Sequence, residues 1–489
     1  MTGLRHSAVH GAMWSMIESA GGQGVAFLVF LALARLLTPA DFGVIAIATI
    51  YVLVAQYLIF QGLGQAILQF DDLDERHLDT IFWINLAVGI ALVAITLAGA
   101  SVAESWIRTP GLAPILRGLS PVLLIAALTD VPNNLLARQL GFRKLAFRTI
   151  SSYILGGIVA IVCAFRGAGP WSLVAQQLTI WVVNFGVLWA STPWRPAFRI
   201  CPMRARRLLR FGMHLLWTDL VGLANRRSDQ LFVARAFGPV VVGFYSVGSR
   251  VAMLVSEVLV RSFGRVSVAV LSRLQNMGER FEAAVYEAAE MQSALILPAS
   301  VGLVLAAPDI VNLFLGAKWA PAVPIMQALL LACPFEALAT VHQSALLASG
   351  RPHWCSTLTT THALANLAIF VAVIHWGPLA VAAGFTARAL ILYPVELMVL
   401  RYVVALSPGK FLRLLCPQAV ATGLMAAAVL LLRHGLGTMS SVVLLPLTVL
   451  TGAIVYIAGV AVLNGRLASE LWSYRTLGLW RAVIPATQE

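Results

Sequence analysis

Apolar runs follow one another along almost the whole chain, each interrupted by a short cluster of charge, proline or glycine. Fourteen are long enough to stand as separate elements, at roughly 13–36, 42–64, 79–100, 118–137, 146–165, 170–191, 208–235, 240–267, 287–306, 321–348, 355–375, 378–402, 411–432 and 441–463. A helix rises 1.5 Å per residue, so about 20 apolar residues cross a hydrocarbon core of about 30 Å. The pattern predicts an all-α polytopic membrane protein with about fourteen transmembrane helices.

Two of the interruptions share a sequence. Ala34, Arg35, Leu36, Leu37, Thr38, Pro39, Ala40, Asp41, Phe42 and Gly43 return in outline as Ala234, Arg235, Ala236, Phe237, Gly238, Pro239, Val240, Val241, Val242 and Gly243. Ala, Arg, Pro and Gly coincide without a gap. Each copy closes one apolar run and opens the next, as a helix-to-helix corner does. Arg35 and Arg235 fall at a helix C-terminus, where a cation complements the dipole. Pro39 and Pro239 fall at the first helical position, where the missing N–H costs nothing, after Thr38 or Gly238 as N-cap. Thr38 and Asp41 also have capping-box spacing. A second echo, Gly169, Pro170 and Ala175 against Gly377, Pro378 and Ala383, keeps the same order. The chain therefore reads as an internal duplication.

The corners join spans 1 and 2 and spans 7 and 8, while the Gly-Pro pairs precede spans 6 and 12. This defines two six-helix lobes, residues 1–192 and 208–402, connected by a cytoplasmic linker over 193–207. Spans 13 and 14 and a tail occupy 403–489. Six is even, so both lobes enter from one side and are expected to be parallel repeats facing a shared cavity. Arg273, Glu279, Arg280 and Glu282 mark 268–286 as a short amphipathic cytoplasmic helix with a solvated face.

Composition agrees: 60% of the 489 residues are hydrophobic, 11% are charged, and the mean hydropathy is +0.86. Soluble domains are about 25% charged. The net charge of +13 could suggest nucleic-acid binding, but its distribution argues otherwise. With the N-terminus in the cytoplasm, most Lys and Arg fall in cytoplasmic segments, notably "ARQLGFRKLAFR" and the stretch from Arg195 to Arg210. The positive-inside rule accounts for that excess and places both termini in the cytoplasm. The first run is expected to act as an uncleaved span. Cys163, Cys201, Cys333, Cys355 and Cys416 are scattered without metal-ligand spacing and read as apolar fillers. The chain lacks G-x-x-x-x-G-K-[ST], a nucleophile elbow and H-E-x-x-H, and its outer loops are short. Neither catalysis, a metal nor a cofactor is expected.

Ionisable groups within spans are expensive and mark candidate chemistry. Span 7 carries Asp219, Asn225, Arg226, Arg227 and Asp229 within three turns, with Arg226 and Asp229 three apart on one face. The cluster reads either as a self-neutralised pair that eases insertion, or as a cationic wall able to meet an anionic headgroup. Span 8 adds Arg250, well inside, with Glu257 and the more terminal Arg261, which is expected to snorkel as an anchor. Glu18 in span 1 reads as an ion-coupling carboxylate or as the counter-ion of Arg226 or Arg227, and Asp229 is a second coupling candidate. Asp130, Glu336, and the pair Arg388 and Glu396 in span 12 are further candidates; the last two are eight residues apart, so their contact is not assured.

At the first corner, "LALARLLTPADFGVIAIA" resembles the polysaccharide transporter branch of the multidrug/oligosaccharidyl-lipid/polysaccharide flippase superfamily. The likeness continues in "LLARQLGFRKLAFRTI", in "GPWSLVAQQL" and in "LLRFGMHLLWTDLVGLANRRSDQLFVARAFGPVVVGFYSVGSRV". The resemblance implies a Wzx-type flippase of undecaprenyl-diphosphate-linked oligosaccharide in the bacterial inner membrane, serving O-antigen, capsule or exopolysaccharide synthesis. It also implies two lobes alternating access around an arginine-lined cavity. Arg250 fits that lining, and Asn225 and Asp229 fit the family's span 7 pattern. Spans 1 and 2 depart from it, offering Glu18 and no interior Arg. Implied partners are the lipid-linked oligosaccharide, membrane lipids, and polysaccharide polymerase and export machinery. Competing readings are a multidrug cation antiporter, which would prefer an acidic cavity; a membrane oligosaccharide polymerase or ligase, which the short outer loops disfavour; and a major-facilitator transporter, which lacks these corners.

Overall fold

The computed structural model describes residues 2–60, 63–64, 67, 74–139, 141–199, 202–275, 277–436 and 439–465, and every regular element among them is helical. In chain order these are α1 (Thr2–Leu36), α2 (Pro39–Phe60), α3 (Glu75–Ile107), α4 (Leu112–Arg138), α5 (Phe142–Phe165), α6 (Trp171–Ser191), α7 (Pro202–Val255), α8 (Arg261–Leu274), α9 (Glu279–Ile310), α10 (Ala322–Leu330), α11 (Cys333–Ala348), α12 (Pro352–Val373), α13 (Pro378–Val404), α14 (Pro408–Gly435) and α15 (Ser441–Leu463). Thirteen stretches among the described residues are long and apolar enough to cross a membrane, α10 and α11 together forming one of them. One of the thirteen holds two of the expected spans. α7 carries spans 7 and 8 as two arms that meet at Gly238, whose φ of 77° and ψ of −178° are not helical.

That conformation explains the second corner. A positive φ costs a glycine little, and Pro239 then restarts the helix with its φ already set. The first corner solves the same problem with side chains. The Asp41 carboxylate accepts from Thr38 N (2.8 Å) and Thr38 Oγ1 (2.7 Å), and Thr38 Oγ1 accepts in turn from Asp41 N (3.3 Å). The capping box expected from spacing is present. Gly169 and Gly377, before α6 and α13, also take positive φ (53° and 102°). Arg35 sits in the last turn of α1, as a C-terminal cation should.

The two corners also touch. A Cβ on Gly43 would coincide with the carbonyl oxygen of Pro239, and a Cβ on Gly243 with that of Pro39. In each corner the glycine follows the proline by four residues, so both lie on one face. The contact is reciprocal: each glycine offers an α-hydrogen to the other corner's carbonyl, a weak C–H···O contact that only the absence of a side chain allows.

The molecule divides into two compact units, residues 1–246 and 247–489. In the first, α3 packs on α4, α4 on α6, α5 on α6 and α2 on α4, with α1 against α5. In the second, four of these five pairings have counterparts: α9 on α10 and α11, α10 and α11 on α13, α12 on α13, and α8 on α11. α14 and α15 are added to the second unit through α9. Asp309 accepts from Arg433 Nη1 (2.5 Å) and Ser441 Oγ (3.0 Å), the Tyr456 hydroxyl donates to the Ala294 carbonyl (2.7 Å), and Asn464 donates to Glu290 (2.6 Å).

Burial follows position. In α4, 61% of the apolar window is buried, against 17% in α15, so α4 is a central element and α15 a peripheral one. Ile90, Ile95, Val102 and Trp106 on α3, and Val449, Leu450, Ile454 and Ile457 on α15, are exposed. Such apolar faces are suited to lipid.

One expectation fails. The segment 268–286 is not a separate amphipathic helix. Its first residues end α8, and Glu279 already opens α9, which continues unbroken into the membrane span. Charge marked the solvated end of a long helix, where Glu279 and Glu282 complement the N-terminal dipole.

The reciprocal contact sets a stability test. Gly43→Ala and Gly243→Ala should each cost about 1–3 kcal/mol, since a backbone carbonyl cannot rotate away. Gly99→Ala, with nothing within 4 Å of the new Cβ, should cost nothing. Thermal melting of the purified variants checks this, and equal melting of all three would refute it.

Candidate functional site

Span 7 becomes the first arm of α7, and its charges do not pair as their spacing suggested. Asp229 is buried and turns toward the corner. Its Oδ2 accepts from the Tyr245 hydroxyl (2.8 Å), its Oδ1 from Gln230 N (2.8 Å), and Arg227 is the cation that acts on it. Tyr245 belongs to the second arm and is fully buried, so this bond clamps the two arms below Gly238. Arg226 leans the other way, over Gly222 and toward Asp219. Helical side chains tilt toward the N-terminus, so an arginine covers the turn before it rather than the turn after. Arg227 donates to Gln230 (3.5 Å), Arg226 is exposed and Asn225 half-buried.

Arg226 precedes Gly238 by twelve residues and Arg250 follows it by twelve. At 1.5 Å per residue each lies about 18 Å along its arm from the corner, just past the middle of a hydrocarbon core. Both are exposed at that depth. Arg250 lies in the second unit, as does Glu257 in the π turn Ser256–Val260. The Arg261 side chain lies outside the described residues. Arg235 is exposed near the end of its arm, consistent with a capping position.

Glu18 has a partner that sequence spacing did not suggest. It meets Arg148 Nη2 at 3.2 Å and accepts from the Thr149 hydroxyl at 2.7 Å; Arg148 also donates to Thr149 Oγ1 (3.0 Å) and to Asn133. The counter-ion of Glu18 is therefore Arg148, not Arg226 or Arg227. By sequence Arg148 belongs both to the cytoplasmic basic run "ARQLGFRKLAFR" and to the start of span 5. α5 begins at Phe142, so Arg148 lies in its second turn rather than at its start. The first unit thus has an interior arginine after all, on its fifth span. Nearby on α4, Asp130 is held by Asn85 (2.8 Å) and Asn134 (2.9 Å).

In the second unit Arg388 and Glu396 are joined through a residue that sequence reasoning passed over. Arg388 Nη1 donates to His362 Nδ1 (2.8 Å), and His362 Nε2 meets Glu396 Oε1 (2.8 Å). His342 Nδ1 meets the other carboxylate oxygen (2.8 Å), and Arg388 lies 3.7 Å from Glu336 and over the Phe385 ring. His342 and His362 fall in apolar windows. Treating a histidine there as an ionisable group, like Asp or Arg, would have singled both out. Among the described residues no group of three or more His, Cys, Asp or Glu side chains is arranged to hold a metal ion.

A chain of apolar spans with two proline corners now has a match in kind. A family model described as polysaccharide biosynthesis protein matches residues 32–324, more than half of the chain. The chain belongs to the polysaccharide biosynthesis protein family. A curated relative is the succinoglycan biosynthesis transport protein ExoT of Rhizobium meliloti, 28% identical over 64% of this chain and 63% of that protein. Another is the lipopolysaccharide biosynthesis protein WzxC of Escherichia coli, 23% identical over 71% of both chains. A solved structure of the lipid II flippase MurJ in an inward closed conformation superposes with a TM-score of 0.73, covering 94% of this chain and 99% of that one at 16% identity. This member of the polysaccharide biosynthesis protein family is thus a multi-pass membrane protein, and one of its named relatives is a transport protein.

Two tests address the side-chain pairs. Glu18→Gln and Arg148→Gln should be non-additive, with a coupling of about 0.5–3 kcal/mol in a double-mutant cycle. Zero coupling would remove the pair. Tyr245→Phe, which strips a buried carboxylate of a donor, should cost about 1–3 kcal/mol in the unfolding of purified protein.

Proposed function

We propose that this chain is a flippase that carries an undecaprenyl-diphosphate-linked oligosaccharide across the bacterial inner membrane by alternating access, for assembly of a surface polysaccharide. The observation that carries the reading is the pair of exposed arginines, Arg226 and Arg250, each about 18 Å along its arm from Gly238. An exposed guanidinium at that depth is tolerated only against polar surroundings. A diphosphate meets the same obstacle, since burying its charge without compensation is prohibitive. Fixed arginines answer both needs: the fork of N–H donors fits phosphate oxygens and stays charged, while the polyprenyl tail remains in lipid. Arg227 and the interior Arg148 add positive charge on the first unit, and Asn225 adds an amide. Arg388 is already engaged by His362 and Glu336 and has a lesser part in binding.

The named relatives support a polysaccharide cargo, being described for succinoglycan and lipopolysaccharide biosynthesis. In this reading both termini are cytoplasmic, and the polysaccharide polymerase and export machinery act next on the delivered lipid. The chain has no Walker motif, so the drive is a substrate gradient, an ion gradient or the membrane potential. Of the two coupling carboxylates considered, Glu18 is part-exposed beside Arg148, whereas Asp229 is closed in by Tyr245. Glu18 is the better placed to exchange an ion. A cation antiporter would present acids at mid-depth, whereas Arg226 and Arg250 are the exposed charges of α7 considered above.

In a strain lacking the chromosomal copy, Arg226→Ala and Arg250→Ala should each abolish surface polysaccharide. Lipid-linked oligosaccharide should accumulate at the inner leaflet, with unchanged levels of protein in the membrane. Full export by both variants would sink the headgroup-binding role.

A further inference from the structure

The second unit encloses a chain of ionisable side chains in which only Arg388 has a part, and a lesser one, in headgroup recognition. α11 contributes Glu336 and His342, α12 His362, and α13 Arg388, Tyr393 and Glu396. The side chains of His342 and Glu396 are 1% and 5% exposed, so the Glu396 carboxylate has its charge answered inside the fold by imidazoles. From the remaining neighbours, the Tyr393 ring stacks on His342, and α14 presents the Phe411 ring edge-on to it. Beyond Phe411 lies Tyr286 of α9, whose hydroxyl is taken by Ser407 and whose ring lies under Lys410, itself paired with Glu282.

The hydrogen bonds assign the protons. A guanidinium only donates, so His362 Nδ1 accepts from Arg388, and His362 carries its proton on Nε2, donated to Glu396. Glu396 accepts a second proton from His342 Nδ1. That leaves Nε2 of His342 buried with no hydrogen-bond partner, a bare lone pair whenever the imidazole is neutral. A buried polar atom left unsatisfied calls for a reason.

We propose that this cluster is a proton-binding site, with Nε2 of His342 as the atom that takes the proton and Glu396 as its counter-charge. A proton from water adds to the Nε2 lone pair and no bond breaks. The imidazole becomes an imidazolium whose Nδ1–H still points at the carboxylate. Glu396 then answers a full positive charge on α11, and its hold on the neutral His362 and, through it, on Arg388 weakens. One proton thereby redistributes the polar ties among α11, α12 and α13. As the energy source of the transport proposed above, the site rests on that reading; as a proton site it does not.

The test is a proton count on the purified full-length protein in lipid nanodiscs, titrated potentiometrically between about pH 5 and 8, where histidine changes charge. The wild type should take up about one proton more than H342Q. H362Q, which removes one donor to Glu396 but keeps the Nε2 lone pair, should retain that uptake at a shifted midpoint. Superimposable curves for the wild type and a folded H342Q overturn the proposal. Should H342Q fail to fold, NMR of isotopically labelled histidine in the wild type gives the same reading. One imidazole converting from the Nδ1–H to the doubly protonated form supports the site, and no such conversion overturns it. Neither measurement requires transport, so a chain that carries no oligosaccharide would still reveal the proton site.

Discussion

Only an α-hydrogen separates the main chain of Gly43 from the carbonyl of Pro239, and the same holds for Gly243 and Pro39. Much of the first unit is set by that crossing. It fixes where α2 starts and where the second arm of α7 starts, and in each case the proline one turn earlier sets the direction in which the helix leaves. Tyr245, two residues beyond Gly243, then has its hydroxyl on Asp229, and this bond fixes the arm on which Arg226 and Arg227 are carried.

The intramembrane charges obey one rule with several solutions. Each carboxylate is answered by whichever donors its neighbours supply: arginine and threonine for Glu18, tyrosine and a main-chain amide for Asp229, two asparagines for Asp130, two histidines for Glu396. The arginines at mid-depth are treated differently. Arg226 and Arg250, each about 18 Å along its arm from Gly238, have exposed side chains.

The architecture was largely legible in the sequence because its signals are local. Apolar length gives spans, Thr38 and Asp41 cap within one turn, and Gly-Pro pairs restart helices wherever they occur. The boundary errors are local too: charged residues at 268–286 and around Arg148 marked helix ends, and the helices simply began earlier than apolarity alone indicates. What was not legible depends on which helices become neighbours. Glu18 and Arg148 are 130 residues apart, so nothing in spacing could pair them. Arg226 and Asp229 have pairing spacing, yet the tilt of helical side chains and the arrival of Tyr245 separate them. His362 could be recognised as the link between Arg388 and Glu396 only once α12 lay against α13.

The corner contact also bears on how such a molecule changes over time. In most tight contacts two side chains share a volume, so a larger residue on one side can be accommodated by a smaller one on the other. Here the partner of each glycine is a carbonyl oxygen, which every residue possesses and none can shrink. A substitution at Gly43 has no compensating substitution at position 239, and Gly243 has none at position 39. The contact therefore evolves without correlated replacements, and methods that infer proximity from paired substitutions are blind to a crossing that joins the two halves of the duplicated sequence.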